Sequence, residues 1–421
     1  MKCPNCGDPN PDTAKFCQKC GKVIPASGVG AGVKLAALVG ILVVGALLLM
    51  IALRGSRSSA PLAVSAAPGS HAGKTKLVVA FGTEKEPWLK WAVDEFAKTP
   101  AGESVDVDLV GLGSIEAAQA IVRGEKNINV WAPASSLYRD QFVKDWQDRR
   151  GAGAKPIARE ASLALTPMVL VMWDERSRAF QSKLGEPNFK RIADAVTGDG
   201  WSAIAQKPEW GFFKFAHTDP GRSNSGLAAL LLMASDYAGK SRDLSVPDVS
   251  GRDFQQWLSG VERRVVGASS GLTHSTGTLM TSMVQRGPST YDCVVVYEAN
   301  AIERLDQAAG RYGDLRVVYP PTNYWNDNPY YVIDAPWTSA EQQQAAKQFL
   351  DFLLSEPVQR QALIAHGFRP ANLSVTTNGP DSPLVKHAAA GLRVDVPGTF
   401  VETPKGEVLE SLLLAWQRAR P

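Results

Sequence analysis

Lys76-Leu-Val-Val-Ala-Phe81-Gly-Thr-Glu84, Val105-Asp-Val-Asp-Leu-Val110-Gly-Leu-Gly-Ser114 and Ile128-Asn-Val-Trp131-Ala-Pro-Ala-Ser-Ser136 share one plan. Each begins with an apolar or alternating run, read as a strand over 76–81, 105–110 and 128–131, and ends in a small, hydroxyl-bearing turn. Helical periodicity follows each one. Trp88, Trp91, Ala92 and Phe96 fall on one face of 88–98, and further helices are expected over 114–123 and 137–146. Strands alternating with helices in this way build a mostly parallel sheet. All three turns then lie at strand carboxyl ends and lead into helix starts, where backbone N–H groups and hydroxyls face a ligand in the crevice of an open α/β sheet. Ser and Thr are also ordinary N-caps, but three such turns in succession point to a shared binding edge.

Upstream, residues 35–53 are uncharged and mostly apolar, bracketed by Lys34 and Arg54. At about 1.5 Å rise per residue this run matches the roughly 30 Å hydrocarbon core of a bilayer. We expect an uncleaved transmembrane helix over 33–53. A signal peptide is the competing reading, with small residues around Ala60 and Ala67, but signal h-regions are shorter, about 7–15 residues. Lys2, Lys15, Lys19, Lys22 and Lys34 precede the run and only Arg54 and Arg57 follow closely, which favours a cytoplasmic N-terminus. Residues 54–75, rich in Ser, Ala, Pro and Gly, read as a flexible tether.

The head, 1–24, carries Cys3-Pro-Asn-Cys6 and Cys17-Gln-Lys-Cys20. Two CxxC turns can aim Cys3, Cys6, Cys17 and Cys20 at one point, completing the tetrahedral sulfur shell that Zn²⁺ favours. Gly7 and Gly21 follow each second cysteine, where a turn tightening round a metal wants positive φ. With little apolar material between the pairs, a structural zinc would supply most of the folding energy. Disulfides are the alternative, and they suit an oxidising compartment, whereas the charge bias sends this head to the reducing side. The segment resembles a short bacterial zinc ribbon.

From Lys76 onward the composition is that of an ordinary globular chain, long enough for two lobes. The net charge of +3 has no basic stripe behind it, which argues against nucleic-acid binding. Cys293 is the one cysteine outside the head and reads as a buried small residue.

The order of elements from 76 to 372 resembles the extracellular solute-binding proteins of ABC transporters, of the type II periplasmic-binding fold, and is similar to the molybdate- and sulfate-type branch. Residues 168–172 with Trp173-Asp174 resemble the first crossover into a second lobe. Residues 215–226, Phe-Ala-His-Thr-Asp-Pro-Gly-Arg-Ser-Asn-Ser-Gly, resemble that lobe's strand–turn–helix, and Tyr291-Asp-Cys-Val-Val-Val-Tyr-Glu298 resembles the return crossover. A helix at 340–354, then Glu356-Pro-Val-Gln and Gly367-Phe-Arg-Pro-Ala371, resembles the closing segment. The resemblance implies a two-lobed α/β binding domain over 76–375, the second lobe spanning about 173–292, that closes over a small polar solute and works beside an ABC permease. It carries ligand contacts onto Thr83, Ser114 and Ser135 in the first lobe, and Ser223, Ser225, Thr276 and, as a charge partner, Arg222 in the second. Glu84, Glu86 and Glu298 depart from a simple oxyanion binder; surface or hinge placement is expected for them. Tyr324 and Trp325 are candidates for stacking on an organic ligand or for packing.

Catalysis has weak support. Gly267-Ala-Ser269-Ser-Gly271 matches G-x-S-x-G after a strand-like stretch, 261–266, with Asp292, Asp306 and His366 downstream, so a serine hydrolase using Ser269 is a minor alternative. The five histidines have no ligand spacing, and no Walker-type loop is present. Residues 376–421 read as a tail ending in a helix, 406–420, with Leu409, Leu412, Leu413 and Trp416 on one face. The expected function is a membrane-anchored, extracytoplasmic binding protein for uptake or sensing, embedded in the lipid bilayer. The rival is a scaffold or sensor that keeps the fold. Topology is testable by labelling intact cells with an impermeant thiol reagent. A cysteine introduced at an exposed position of 55–74 should react and the four head cysteines should not; the reverse would invert the orientation.

Overall fold

The computed structural model describes Lys2 and Gly73–Pro421. The cysteine quartet and the apolar run at 33–53 lie outside the described residues. Among those described, no helix is long and apolar enough to cross a membrane, and no group of His, Cys, Asp and Glu is gathered as for a metal ion.

Thirteen short strands build the described region. They are β1 (Thr75–Phe81), β2 (Val105–Gly111), β3 (Val130–Ala132), β4 (Ile157–Ser162), β5 (Ala164–Trp173), β6 (Phe215–Ala216) and β7 (Cys293–Tyr297). Then come β8 (Leu315–Val318), β9 (Thr322–Asn323), β10 (Trp325–Asn326), β11 (Pro329–Ile333), β12 (Arg369–Pro370) and β13 (Thr399–Phe400). The first sheet runs β2-β1-β3-β11-β4. β1 pairs parallel with β2 and β3, which the helices Glu86–Phe96 and Ser114–Arg123 make possible by carrying the chain back. Alternation along β1 sends Leu77, Val79 and Phe81 to a core with Trp88, Phe96 and Phe349, and Val78 and Ala80 to another with Ile115, Ile121 and Trp131. The three opening segments form the parallel part expected of them, β2-β1-β3, while β11 pairs antiparallel with both β3 and β4, so the sheet as a whole is mixed.

The second sheet is organised on β5, ten residues of which nine are buried. Its path is β10-β5-β7-β6, with β8 and β12 also pairing with β5. Tyr291–Glu298 was expected as the return crossover; instead Cys293–Tyr297 is an interior strand, antiparallel to β5 and parallel to β6. A wholly apolar run suits either role, so the pattern alone does not separate them. The sheet therefore extends on both sides of 173–292, from Ala164 to Asn326, with Arg369–Pro370 added beside the start of β5. The chain passes between sheets at Leu163, at Asp327-Asn328 and again between Ile333 and Arg369. There Leu163 N–H donates to Asn328 O at 3.0 Å and Asn328 N–H to Ala134 O at 3.1 Å. Cys293 is buried and free, and burial followed by the charge of Asp292 pushes its thiol well above its ordinary value.

The segment read as a tail is part of the second lobe. β13 pairs with β9, and the helix Gly406–Ala419 packs Val408, Leu409, Leu412 and Trp416 into the larger core. Trp416 Nε1 donates to Glu262 Oε2 at 2.9 Å, while Gln255 and Ser259 cap the carbonyls of Ala415 and Ala419 at 2.8 and 3.1 Å. Trp416→Ala should cost about 3–5 kcal/mol of folding stability, as large core truncations do. Urea denaturation measures it, and a loss below about 1 kcal/mol would contradict a structural role for this helix.

Candidate functional site

The turns that follow β1, β2 and β3 meet the first turns of two helices of the second lobe, Asn224–Ala238 and Thr276–Arg286. Thr83 Oγ1 donates to Ser275 Oγ at 3.2 Å, and Ser135 Oγ donates to Asn224 Oδ1 at 2.6 Å. Ser135 Oγ also caps its own turn, accepting from Leu137 N–H at 3.2 Å. Ser114 faces inward: its Oγ accepts from Ala134 N–H at 3.0 Å and its carbonyl from Trp131 Nε1 at 3.1 Å, so it fixes the third turn from the second. Beside it, a Cβ on Gly113 would stand 2.5 Å from Arg222 O, and only glycine allows the lobes this approach.

Across the interface, Ser225 Oγ lies 2.7 Å from both Thr218 Oγ1 and Thr276 Oγ1 and 3.3 Å from Ser223 Oγ. Asn224 Nδ2 donates to Tyr297 Oη at 3.0 Å and to Asn326 Oδ1 at 2.8 Å. Thr83, Ser135, Ser223, Ser225 and Thr276 thus lie in one region spanning both lobes. Arg222 does not join them, since its guanidinium is exposed with Nη1 3.3 Å from His274 Nδ1. Asn224, Ser275 and Tyr297 were not singled out in the sequence. Asn224 and Tyr297 sit inside the motifs already quoted, and Ser275 directly precedes Thr276; an amide between two helix-starting serines was the available signal for Asn224.

Glu84 was expected at the surface or hinge. It is 5% exposed and pairs with Lys85, which is fully buried. Lys85 Nζ also donates to Pro133 O at 3.1 Å and Asn328 Oδ1 at 3.0 Å; burial lowers its pKa against the raising effect of Glu84 and Asp327. Glu298, at the end of β7, accepts from Arg369 at 2.7 and 2.8 Å and from the Tyr319 hydroxyl, which ties β12 to the second sheet. Glu86 pairs with Lys90 one turn on, part-exposed. The aromatic candidates pack: Trp325 stacks on Phe400 at 4.9 Å, and the Tyr324 hydroxyl lies 2.9 Å from Thr403 Oγ1.

The hydrolase alternative finds no constellation. Residues 261–266 end the helix Arg252–Glu262 and continue as turns, so no strand enters an elbow, and Ser269 is exposed between Gly267 and Gly271, both at positive φ. His366 faces Glu303 at 3.9 Å, Asp306 faces His387 at 3.8 Å, and Asp292 accepts from Arg176 and Trp201 at 2.6 and 2.9 Å.

Comparison with known proteins agrees with this architecture. The profile of the bacterial extracellular solute-binding proteins matches residues 77–369, and the chain belongs to that family. The profile of a zinc-ribbon domain matches residues 2–24. Among solved structures, a periplasmic thiamin binding protein is 16% identical, with 83% of this chain and 98% of that one covered at a TM-score of 0.54. Maltose-bound MalE3 of T. maritima is 14% identical, covering 82% and 95% at 0.55. Iron-bound HitA of Pseudomonas aeruginosa is 14% identical, covering 82% and 98% at 0.51. At these identities the likeness is one of fold. No curated protein matches the chain in sequence.

One buried titratable group stands behind the second-lobe turns. His217 Nε2 is 3.0 Å from Glu262 Oε1 and Nδ1 is 2.8 Å from Thr218 O, so a doubly protonated ring satisfies both acceptors. Burial works against that charge, but Glu262, by charge and hydrogen bond, together with the Thr218 carbonyl and Asp219, raises the pKa above 6.5. A raised folded pKa gives stability that is fully present below the unfolded value and lost as pH rises through the folded one. Urea midpoints should therefore fall as pH increases upward from 6.5, and His217→Gln should flatten that slope. An unchanged slope in the variant would assign it elsewhere.

Proposed function

We propose that this chain is a membrane-anchored, extracytoplasmic solute receptor. Its two lobes part to admit a small polar solute and close on it through Thr83, Ser135, Ser223, Ser225 and Thr276. Ser114 holds the first-lobe turns in register, and Arg222 lies at the rim. The observation that carries the reading is the buried Ser135–Asn224 bond beside the Ser225–Thr276 pair, which brings donors and acceptors of both lobes to one place. Closure is favoured when a solute meets both lobes at once. In keeping with its family, such a receptor hands its solute to an ABC permease or reports it to a sensor. The N-terminus is cytoplasmic in this reading, and Cys3, Cys6, Cys17 and Cys20, a four-thiolate set suited to tetrahedral Zn²⁺, hold one structural zinc.

A second reading is a scaffold that keeps the fold, and one observation favours it. The lobes bond directly, through Thr83–Ser275 and Ser135–Asn224, and Gly113 abuts Arg222 O. Thermal shift of the full-length chain against anions, metal ions, amino acids, sugars and peptides separates the two. A solute at a hundred times its Kd should add about 2.7 kcal/mol. Ser225→Ala should then weaken binding by about 0.5–1.5 kcal/mol for a neutral hydrogen bond. Silence across the whole panel would favour the scaffold.

A further inference from the structure

The turns that meet between the lobes have a chemical bias of their own, and it bears on the solute class. Serine and threonine hydroxyls at helix starts are permissive, accepting or donating as needed, and helix N-termini by themselves favour an anion. Here the negative charge is already built in. Glu84 is buried in the first turn, close enough to Tyr297 that its charge adds to burial in pushing that hydroxyl well up. Tyr297 in turn accepts from Asn224 and lies against Ser225 and Thr276. Asp327, where the chain returns to the first lobe, adds a second carboxylate and accepts from Ser136 N–H at 2.7 Å. Against these two carboxylates stands one ammonium, Lys85, whose hydrogen bonds go to Glu84, Pro133 O and Asn328. The nearby guanidinium, Arg222, is exposed and directed to His274, with Glu116 beside Gly113 at the same rim.

A separate acceptor points the same way. Asn300 is 2% exposed, its Nδ2 is 3.9 Å from where a Gly277 Cβ would sit in the first turn of the helix Thr276–Arg286, and its Oδ1 has no partner among the described residues. A buried carbonyl oxygen left without a donor is costly, and a donor-bearing ligand relieves it.

We propose that the solute carries a cationic nitrogen, an amine or guanidine, received by Glu84 and Asn300 across the lobe interface. The inference rests on the receptor reading above and narrows it: the hydroxyls of Thr83, Ser135, Ser225 and Thr276 supply polarity, and the carboxylates supply the sign. An oxyanion in the same place would be repelled by Glu84 and Asp327 and would find Lys85 already engaged.

Calorimetric titration of the full-length chain with agmatine, putrescine, thiamine, sulfate, molybdate and maltose tests it. At least one of the three cations should bind saturably, with affinity falling as salt is raised. Asn300→Asp should tighten that binding about threefold or more. Because Glu84→Gln alone would leave Lys85 buried without its partner, it is combined with Lys85→Met, and the pair should weaken cation binding at least tenfold. If that pair does not fold, Asn300→Asp decides. Binding of sulfate, molybdate or maltose with none of the cations would overturn the cationic assignment and leave the receptor reading standing. So would cation binding that ignores both variants. No binding by any of the six would overturn the cationic assignment, and silence across the wider thermal-shift panel as well would remove the receptor reading with it.

Discussion

Strand β5 is the constraint on which the described structure depends. Its ten residues divide by alternation, Met168, Leu170 and Met172 entering one core and Val169, Val171 and Trp173 another. Along its length it carries β12, β10, β7 and β8 in turn. A strand covered on both faces and bonded along both edges has little freedom to shift, since a slip of one residue would turn every apolar side chain to the wrong core. From this fixed axis, β7 presents Tyr297 and the start of helix Glu298–Ala308, while β6 leads through the turn to Ser223, Asn224 and Ser225. The second-lobe half of the site is positioned by backbone pairing several residues away from it.

The interface between lobes obeys a different rule. Its side chains are polar and buried, so each must find a partner or lose stability. Ser135, Asn224, Ser225, Thr276, Asn326 and Asn328 do find partners, mostly in one another. Polar contacts of this kind can be exchanged for contacts to water or to a polar ligand at small net free energy, which apolar packing cannot. A hydroxyl- and amide-lined seam is therefore a place where lobes can separate and rejoin. Apolar packing holds the rest together, and the largest core runs continuously from Val78 and Trp131 of the first lobe to Met168 and Leu227 of the second.

Much of the first lobe was legible in the sequence. Strand, turn and helix signals in 76–146 coincide there, and the observed elements differ only at their ends, as in the helix Glu86–Phe96 against the expected 88–98. The seam was partly legible, because Ser135 and Ser225 advertise themselves as helix-starting hydroxyls. Asn224 did not, since its role depends on a partner 89 residues away. Glu84 was read as a surface or hinge carboxylate; its burial together with Lys85, whose ammonium also reaches the Pro133 carbonyl, is a tertiary fact that no local pattern carries. Residues 261–266, Val-Glu-Arg-Arg-Val-Val, misled because β-branched valines at both ends suit a strand as well as a helix end. Residues 376–421 read as an appendage because glycine and proline interrupt them, although the amphipathic face of Gly406–Ala419 already implied a docking surface.

The central claim is that both lobes grip one solute. Hydrogen–deuterium exchange of the full-length chain, with and without a solute that binds it, tests this most directly. The account predicts that the amides of 83–85, 134–137, 223–226 and 275–278 gain protection together. Protection confined to one lobe, or appearing only away from these four turns, would contradict it.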